Sequence, residues 1–183
     1  MDSLMRLGLV RIVAGDAVIA HPFIRELVEA SIPSEARKEL HARALTYLAS
    51  QAAPLEVRAE HAYRAGEPMS ALLILERMGD AALTRGDAGA AVLATRRGLD
   101  LARRELMISG DDTLDRAVVT FSRKLGEALD AAGDHAGADG VLREALELAG
   151  PASKERGRMY LQLGRVAVKR DRARDATRLL GQA

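Results

Sequence analysis

The 183-residue chain contains no cysteine and no tryptophan. Without thiols, neither a disulfide nor a thiolate metal site can hold the fold, and reactive-thiol chemistry is excluded. Aromatic residues make up only 3% of the chain. The core therefore has to be built from Ala, Leu, Val and Met, which suits closely packed helices better than sheet. No run of about 18 apolar residues occurs, and Arg6 and Arg11 break the apolar stretch before His21, so neither a membrane span nor a signal peptide is expected. The reading is a protein of the reducing cytoplasm. A large charge of one sign is missing too: the net charge is +1, which argues against generic nucleic-acid binding.

With 48% hydrophobic and 29% charged residues, the composition is that of a folding chain. Its charge is unevenly spread. Between Lys154 and Arg178 nine basic residues face three acidic ones. Only Tyr160 supplies an aromatic ring there, so the interleaved stacking groups of single-strand nucleic-acid binders are missing. An acidic protein surface or a neighbouring domain fits this basic end better.

Residues 9–20 read as a β-hairpin: Leu9-Val10-Arg11-Ile12-Val13 and Ala17-Val18-Ile19-Ala20 are β-branched runs joined by Ala14-Gly15-Asp16. After His21-Pro22 the period turns helical. Phe23, Leu27 and Ala30 share one face, Pro33-Ser34 make a break and an N-cap, and Leu40, Ala44, Tyr47 and Leu48 follow. A hairpin flanked by helices is the outline of a winged helix. From Pro54 onward, breaks at 66–68, 86–87, 109–112, 133–134, 150–151 and 170–171 divide the chain into seven helices. The clearest stripe, Leu114, Val118, Phe121, Leu125, Ala128 and Ala132, marks a helix over about 112–132. Asp111-Asp112 reads as its N-cap.

Three windows repeat a pattern: Met78-Gly79, Gly86-Asp87, Ala91 and Gly98; then Leu125-Gly126, Gly133-Asp134, Ala138 and Ala145; then Leu163-Gly164, Asp171, Ala176 and Ala183. Small residues let antiparallel helices approach closely, and the loop glycine takes the left-handed conformation that ends the first helix. The pattern resembles the tetratricopeptide repeat, best over 119–151, where Pro151 trails the second helix. Spacings of 47 and 38 residues and Asp171 in place of a loop glycine depart from that family's regular form. The expected fold is all-α: a tetratricopeptide-like right-handed helical stack over 53–183, preceded over 1–52 by a partial winged helix with one β-hairpin.

Leu7-Gly8-Leu9, the hairpin, Ile19-Ala20-His21-Pro22-Phe23-Ile24-Arg25-Glu26 and Leu40-His41-Ala42-Arg43-Ala44 resemble the winged helix behind the nucleotide-binding core of bacterial STAND-class signalling ATPases, maltose-regulator-like or kinase-linked. Ala59-Glu60-His61-Ala62-Tyr63-Arg64-Ala65-Gly66 is similar to the start of their sensor. The resemblance implies an ATPase switch coupled to a helical-repeat sensor and to an effector such as a DNA-binding domain, a kinase or a cyclase. No GxxxxGK[ST] loop is present, so the expectation is a segment beginning mid-module, with ATP or ADP belonging to the intact protein and no cofactor to this stretch. His21 stands where related winged helices place a nucleotide-sensing histidine, although Pro22 replaces their usual Asp. Its alternative role is to cap the helix that follows.

No enzymatic activity is expected. The serines sit at caps, loops and helix surfaces with no motif around them, and His41, His61 and His135 show no metal-ligand spacing, so they read as interior or loop histidines. What the tetratricopeptide resemblance implies instead is a partner-binding groove lined by first helices, which in this register presents Glu76, Asp80, Thr120, Arg123, Glu127, Asp130, Arg158, Leu161 and Arg165. The expected partner is a protein or peptide, or neighbouring domains of the parent chain, and homo-oligomerisation is compatible with it. Nucleic acid and membrane are not expected. The function expected is that of an interaction or sensor module; the alternative is a DNA-binding winged-helix regulator with a helical oligomerisation tail, for which Arg6 alone could reach a base.

Overall fold

The computed structural model describes residues 2–13, 15–110, 112–150 and 153–183, apart from the side chains of Asp16 and Asp112. Helix α1 (Asp2–Arg6) leads into a hairpin of β1 (Val10–Val13) and β2 (Asp16–Ile19). Val10 pairs with Ile19 and Val13 with Asp16, so each strand is a residue shorter at its outer end than the β-branched pattern predicts. Gly15 turns the hairpin at φ +92°, while Ala14 lies outside the described residues. Helices α2 (Pro22–Ser31) and α3 (Ser34–Ser50) follow. Pro33, not Ser34, occupies the N-cap position of α3, and it makes no side-chain cap.

The apolar stripe of α2 is largely exposed, whereas on α3 Leu40 and Tyr47 are exposed but Ala44 and Leu48 are half-buried and Leu45 packs against the main core. No side chain of either helix is buried, and Phe23 is 60% exposed. A two-stranded ribbon packed mainly against α1 and α2 has too little surface to close a core over them.

Seven helices then run to the C-terminus among the described residues, as the loop punctuation predicts: α4 (Leu55–Arg64), α5 (Pro68–Thr84), α6 (Ala88–Ser109), α7 (Asp112–Ala131), α8 (His135–Leu148), α9 (Lys154–Lys169) and α10 (Ala173–Leu180). Asp111 and Pro151, the expected cap and trailing proline, lie outside the described residues. Consecutive helices pack as antiparallel neighbours, and one apolar core continues from Ala59 and Leu72 through Leu99 and Phe121 to Leu125 and Leu129. A second cluster, Leu142, Ala145, Met159, Leu163 and Leu179, extends it to the last pair.

The repeat is visible in the packing. Gly79, Gly126 and Gly164 lie on the first helix of each pair, against Thr95, Leu142 and Leu180 on the second, sixteen positions further along in every case. A Cβ at any of them would fall within 3.0 Å of the facing side chain, so hydrogen at Cα sets the helix–helix distance. The first two pairs turn on Gly86 and Gly133 at positive φ, with Asp87 and Asp134 accepting from the amides of Ala90 and Gly137 as N-caps. The third pair has Asp171 at φ +57° and then Arg172, which makes no side-chain cap.

Candidate partner-binding face

The first helices of the pairs form a continuous layer: α5 touches α7, and α7 touches α9. Side chains on this layer meet at two seams. At the α5–α7 seam Lys124, only 8% exposed, lies 3.1 Å from Glu76 and 2.5 Å from Asp80. A lysine buried among apolar neighbours requires such partners, and two carboxylates supply them. At the α7–α9 seam Arg123 pairs with Glu155, Gln162 donates to Glu127 at 3.4 Å, and Lys169 reaches Asp130 at 2.7 Å. His135 also bonds Asp130, at 2.9 Å.

Of the nine residues that the repeat register assigns to a groove, Glu76, Asp80, Arg123, Glu127 and Asp130 are therefore engaged across the seams. Arg158 is exposed and paired with Glu155 on its own helix at 3.0 Å. Thr120 is half-buried, and Leu161 and Arg165 are exposed on α9. Sequence reasoning missed Lys124, Glu155, Gln162 and Lys169. The signal for Lys124 was available, since it stands beside Leu125 on the apolar stripe of α7, where an unpaired ammonium would not be tolerated.

Much of the basic end is spent in the same way. Arg156 donates to the carbonyls of Leu146 and Ala149 at 2.8 and 2.9 Å and so caps the C-terminus of α8. Arg143 grips Asp139 with two bonds of 3.0 and 3.1 Å, and Arg170 stands 3.6 Å from the same carboxylate. The hydrogen bond from Arg143 holds the Asp139 carboxyl below the ordinary range. Arg165, Arg172 and Arg174 have no ion-pair partner among the described residues.

Concavities open at the edges of the stack. A cleft of about 1120 Å³ lies between the ends of α6 and α8 and the starts of α7 and α9, lined by Leu106, Met107, Val119 and Leu148 and crossed by Arg103, which pairs with Glu144 at 2.5 Å. A smaller one, about 360 Å³, sits between α4, α5 and α6, where Arg104 stacks 5.0 Å above the Tyr63 ring.

The histidines make local contacts. The Nδ1 of His21 accepts the amide of Phe23 at 3.2 Å and caps α2. His41 and His61 join α3 to α4 through an Nδ1–Nδ1 contact of 3.1 Å, with Glu29 3.7 Å from the other nitrogen of His41 and bonded to Arg64. Burial, followed by the charges of His41 and Arg64, pushes His61 below the usual histidine range. Among the described residues no three His, Asp or Glu side chains converge where a metal could sit, and no helix is long and apolar enough to cross a membrane.

No protein-family model and no curated protein matches the chain. Among solved structures it is similar to the apo form of RapI, with 15% identity over 87% of this chain and a TM-score of 0.46. It is also similar to MamA 41-end from Desulfovibrio magneticus RS-1, with 18% identity over 79% of this chain and 92% of that one and a TM-score of 0.32. The chain spans 59% of the RapI chain.

Proposed function

We propose that the chain is a protein-interaction and sensor module of a larger cytoplasmic regulator, in which a partner held on the first-helix face biases a separate ATPase or effector domain. The observation that carries this reading is the layer of α5, α7 and α9, locked across both seams by Lys124, Arg123 and Lys169. Helices stitched in this way move together. Binding at one end is then felt at the other as a change in the position of a stiff body, which is the physical requirement for coupling two sites. The hairpin and its uncovered helices at the N-terminal end support the same reading, because a neighbouring domain of the parent chain would cover Phe23, Leu27 and Leu40. His21 is placed at that junction as the cap of α2.

Because most charges on the face are already matched, the partner is recognised by shape and by replacing existing pairs rather than by bulk charge. The test is a selection of peptides from a displayed random library against the full chain. A selected peptide should bind saturably, and Glu127→Lys, at an exposed position, should weaken it about ten-fold, or roughly 1.4 kcal/mol. Failure to enrich any sequence, or indifference to Glu127→Lys in a chain that keeps its helicity, would remove this face from consideration.

A further inference from the structure

Glu29 is where the N-terminal unit is fastened to the stack. Its carboxylate bonds Arg64 of α4 and lies 3.7 Å from Nε2 of His41 on α3, and its carbonyl accepts from Arg37 at 3.1 Å. Apolar packing adds little, because no described side chain of α1, the hairpin or α2 is buried. Glu29 also stands off the Phe23, Leu27 and Ala30 stripe of α2, so a domain that covers the stripe need not displace these contacts.

Releasing Glu29 strands no charge. Arg64 keeps Glu60, four residues earlier on its own helix, at 2.6 Å, and Glu29 is already 30% exposed to water. His41 stays joined to His61 at 3.1 Å, so α3 and α4 remain together when α2 leaves. The link is short: Ile32 and Pro33 lie between the two helices with extended backbone, at ψ 129° and 142°.

We propose that Glu29 is a releasable latch, and that residues 2–31 have a second position in which α2 swings away from α3 and α4 about Ile32 and Pro33 while Arg64 falls back on Glu60. A half-exposed ion pair without apolar cover holds weakly, so the open position is a minor state within thermal reach. A domain carried on α2 is then fixed to the stiff α5–α7–α9 layer, or freed from it, through one contact. The latch is a property of the chain's own contacts and stands whether or not the first-helix face binds a partner.

The chain has no cysteine, so two introduced ones report its shape. Spin labels at Arg11→Cys on β1 and Arg96→Cys on α6, both exposed and outside these contacts, give the distance between the unit and the stack by pulsed dipolar EPR. A docked distance should dominate, beside a second population that Glu29→Lys raises about five-fold or more. Adding Arg64→Glu to Glu29→Lys should return the docked distance, a rescue that unfolding of α2 would not show. Glu60→Gln leaves Glu29 as the remaining carboxylate for Arg64 and should instead deplete the second population. One distance distribution shared by all four chains would overturn the proposal, and so would a Glu60→Gln chain that opens as far as Glu29→Lys. Opening in Glu29→Lys that Arg64→Glu fails to reverse would do the same.

Discussion

A Cβ built on Gly98 of α6 would stand 2.1 Å from Cε1 of Phe121 on α7, so the ring lies directly on the glycine backbone. Phe121 is buried and belongs to the main core, which leaves the ring no room to withdraw.

Gly98→Ala should therefore destabilise the chain by about 1–3 kcal/mol despite the better helix propensity of alanine. Gly126→Ala, against the fully buried Leu142, should behave similarly. Gly164→Ala should cost less, because the facing Leu180 is partly exposed and can rotate away. Gly140, with nothing within 4 Å, provides the control: its change to alanine should stabilise by about 0.5–1 kcal/mol. Thermal or urea unfolding of the four variants gives the order, and equal costs would refute packing as the cause.

The Lys124 site should respond asymmetrically. Glu76→Gln with Asp80→Asn leaves a nearly buried ammonium without its counter-charges and should cost about 2 kcal/mol or more. Lys124→Met removes the buried charge and leaves two better-exposed carboxylates, so its cost should stay within about 1 kcal/mol. Urea denaturation of both variants decides, and the reverse order would show that the seam does not depend on burying Lys124.

Asp171 holds a left-handed conformation where the first two repeats have glycine. Asp171→Gly should relieve this and stabilise by about 0.5–1 kcal/mol, while Gly86→Ala should have the opposite sign. A melting temperature that drops in Asp171→Gly would mean that the carboxylate makes a compensating interaction.

The His41–His61 contact makes the α3–α4 junction acid-sensitive. Burial lowers the folded-state value of His61, so the folded chain binds fewer protons than the unfolded chain around the ordinary histidine value of 6.5. Stability is therefore fully present above that value and falls as the pH drops through it. Glu29, whose value is lowered by Arg64 and His41 although burial acts to raise it, contributes only in the more acidic carboxylate range. Melting temperature should fall between about pH 7.5 and pH 5.5, and His61→Gln should flatten the curve. An unchanged slope in that variant would place the titration elsewhere.

Legibility differed along the chain. The loops at Gly86-Asp87 and Gly133-Asp134 are local facts: glycine ends a helix, aspartate caps the next, and both could be read without coordinates. The Gly126 and Ala138 register was readable for a similar reason, since only small residues allow the contact. For the groove residues the repeat register names a helix for each side chain but not the contact it makes across a seam. Glu127 and Asp130 do lie on the first-helix layer, yet Gln162 and Lys169, which engage them, are 35 and 39 residues away.

The sequence by itself determined that the chain is mostly helical after one hairpin, about where the helices of the stack break, and which consecutive ones pair through small residues, because capping, period and residue size act within one or two turns. Only the tertiary structure decided which charges are spent at the seams and which, like Arg165, have no ion-pair partner among the described residues. That depends on the offset between successive first helices, and the offset is set by whole-helix packing that no short stretch of sequence encodes. The exposed stripe of α2, with Phe23 and Leu27, belongs to the same class, since a hydrophobic period shows that a face wants burial but not whether anything buries it.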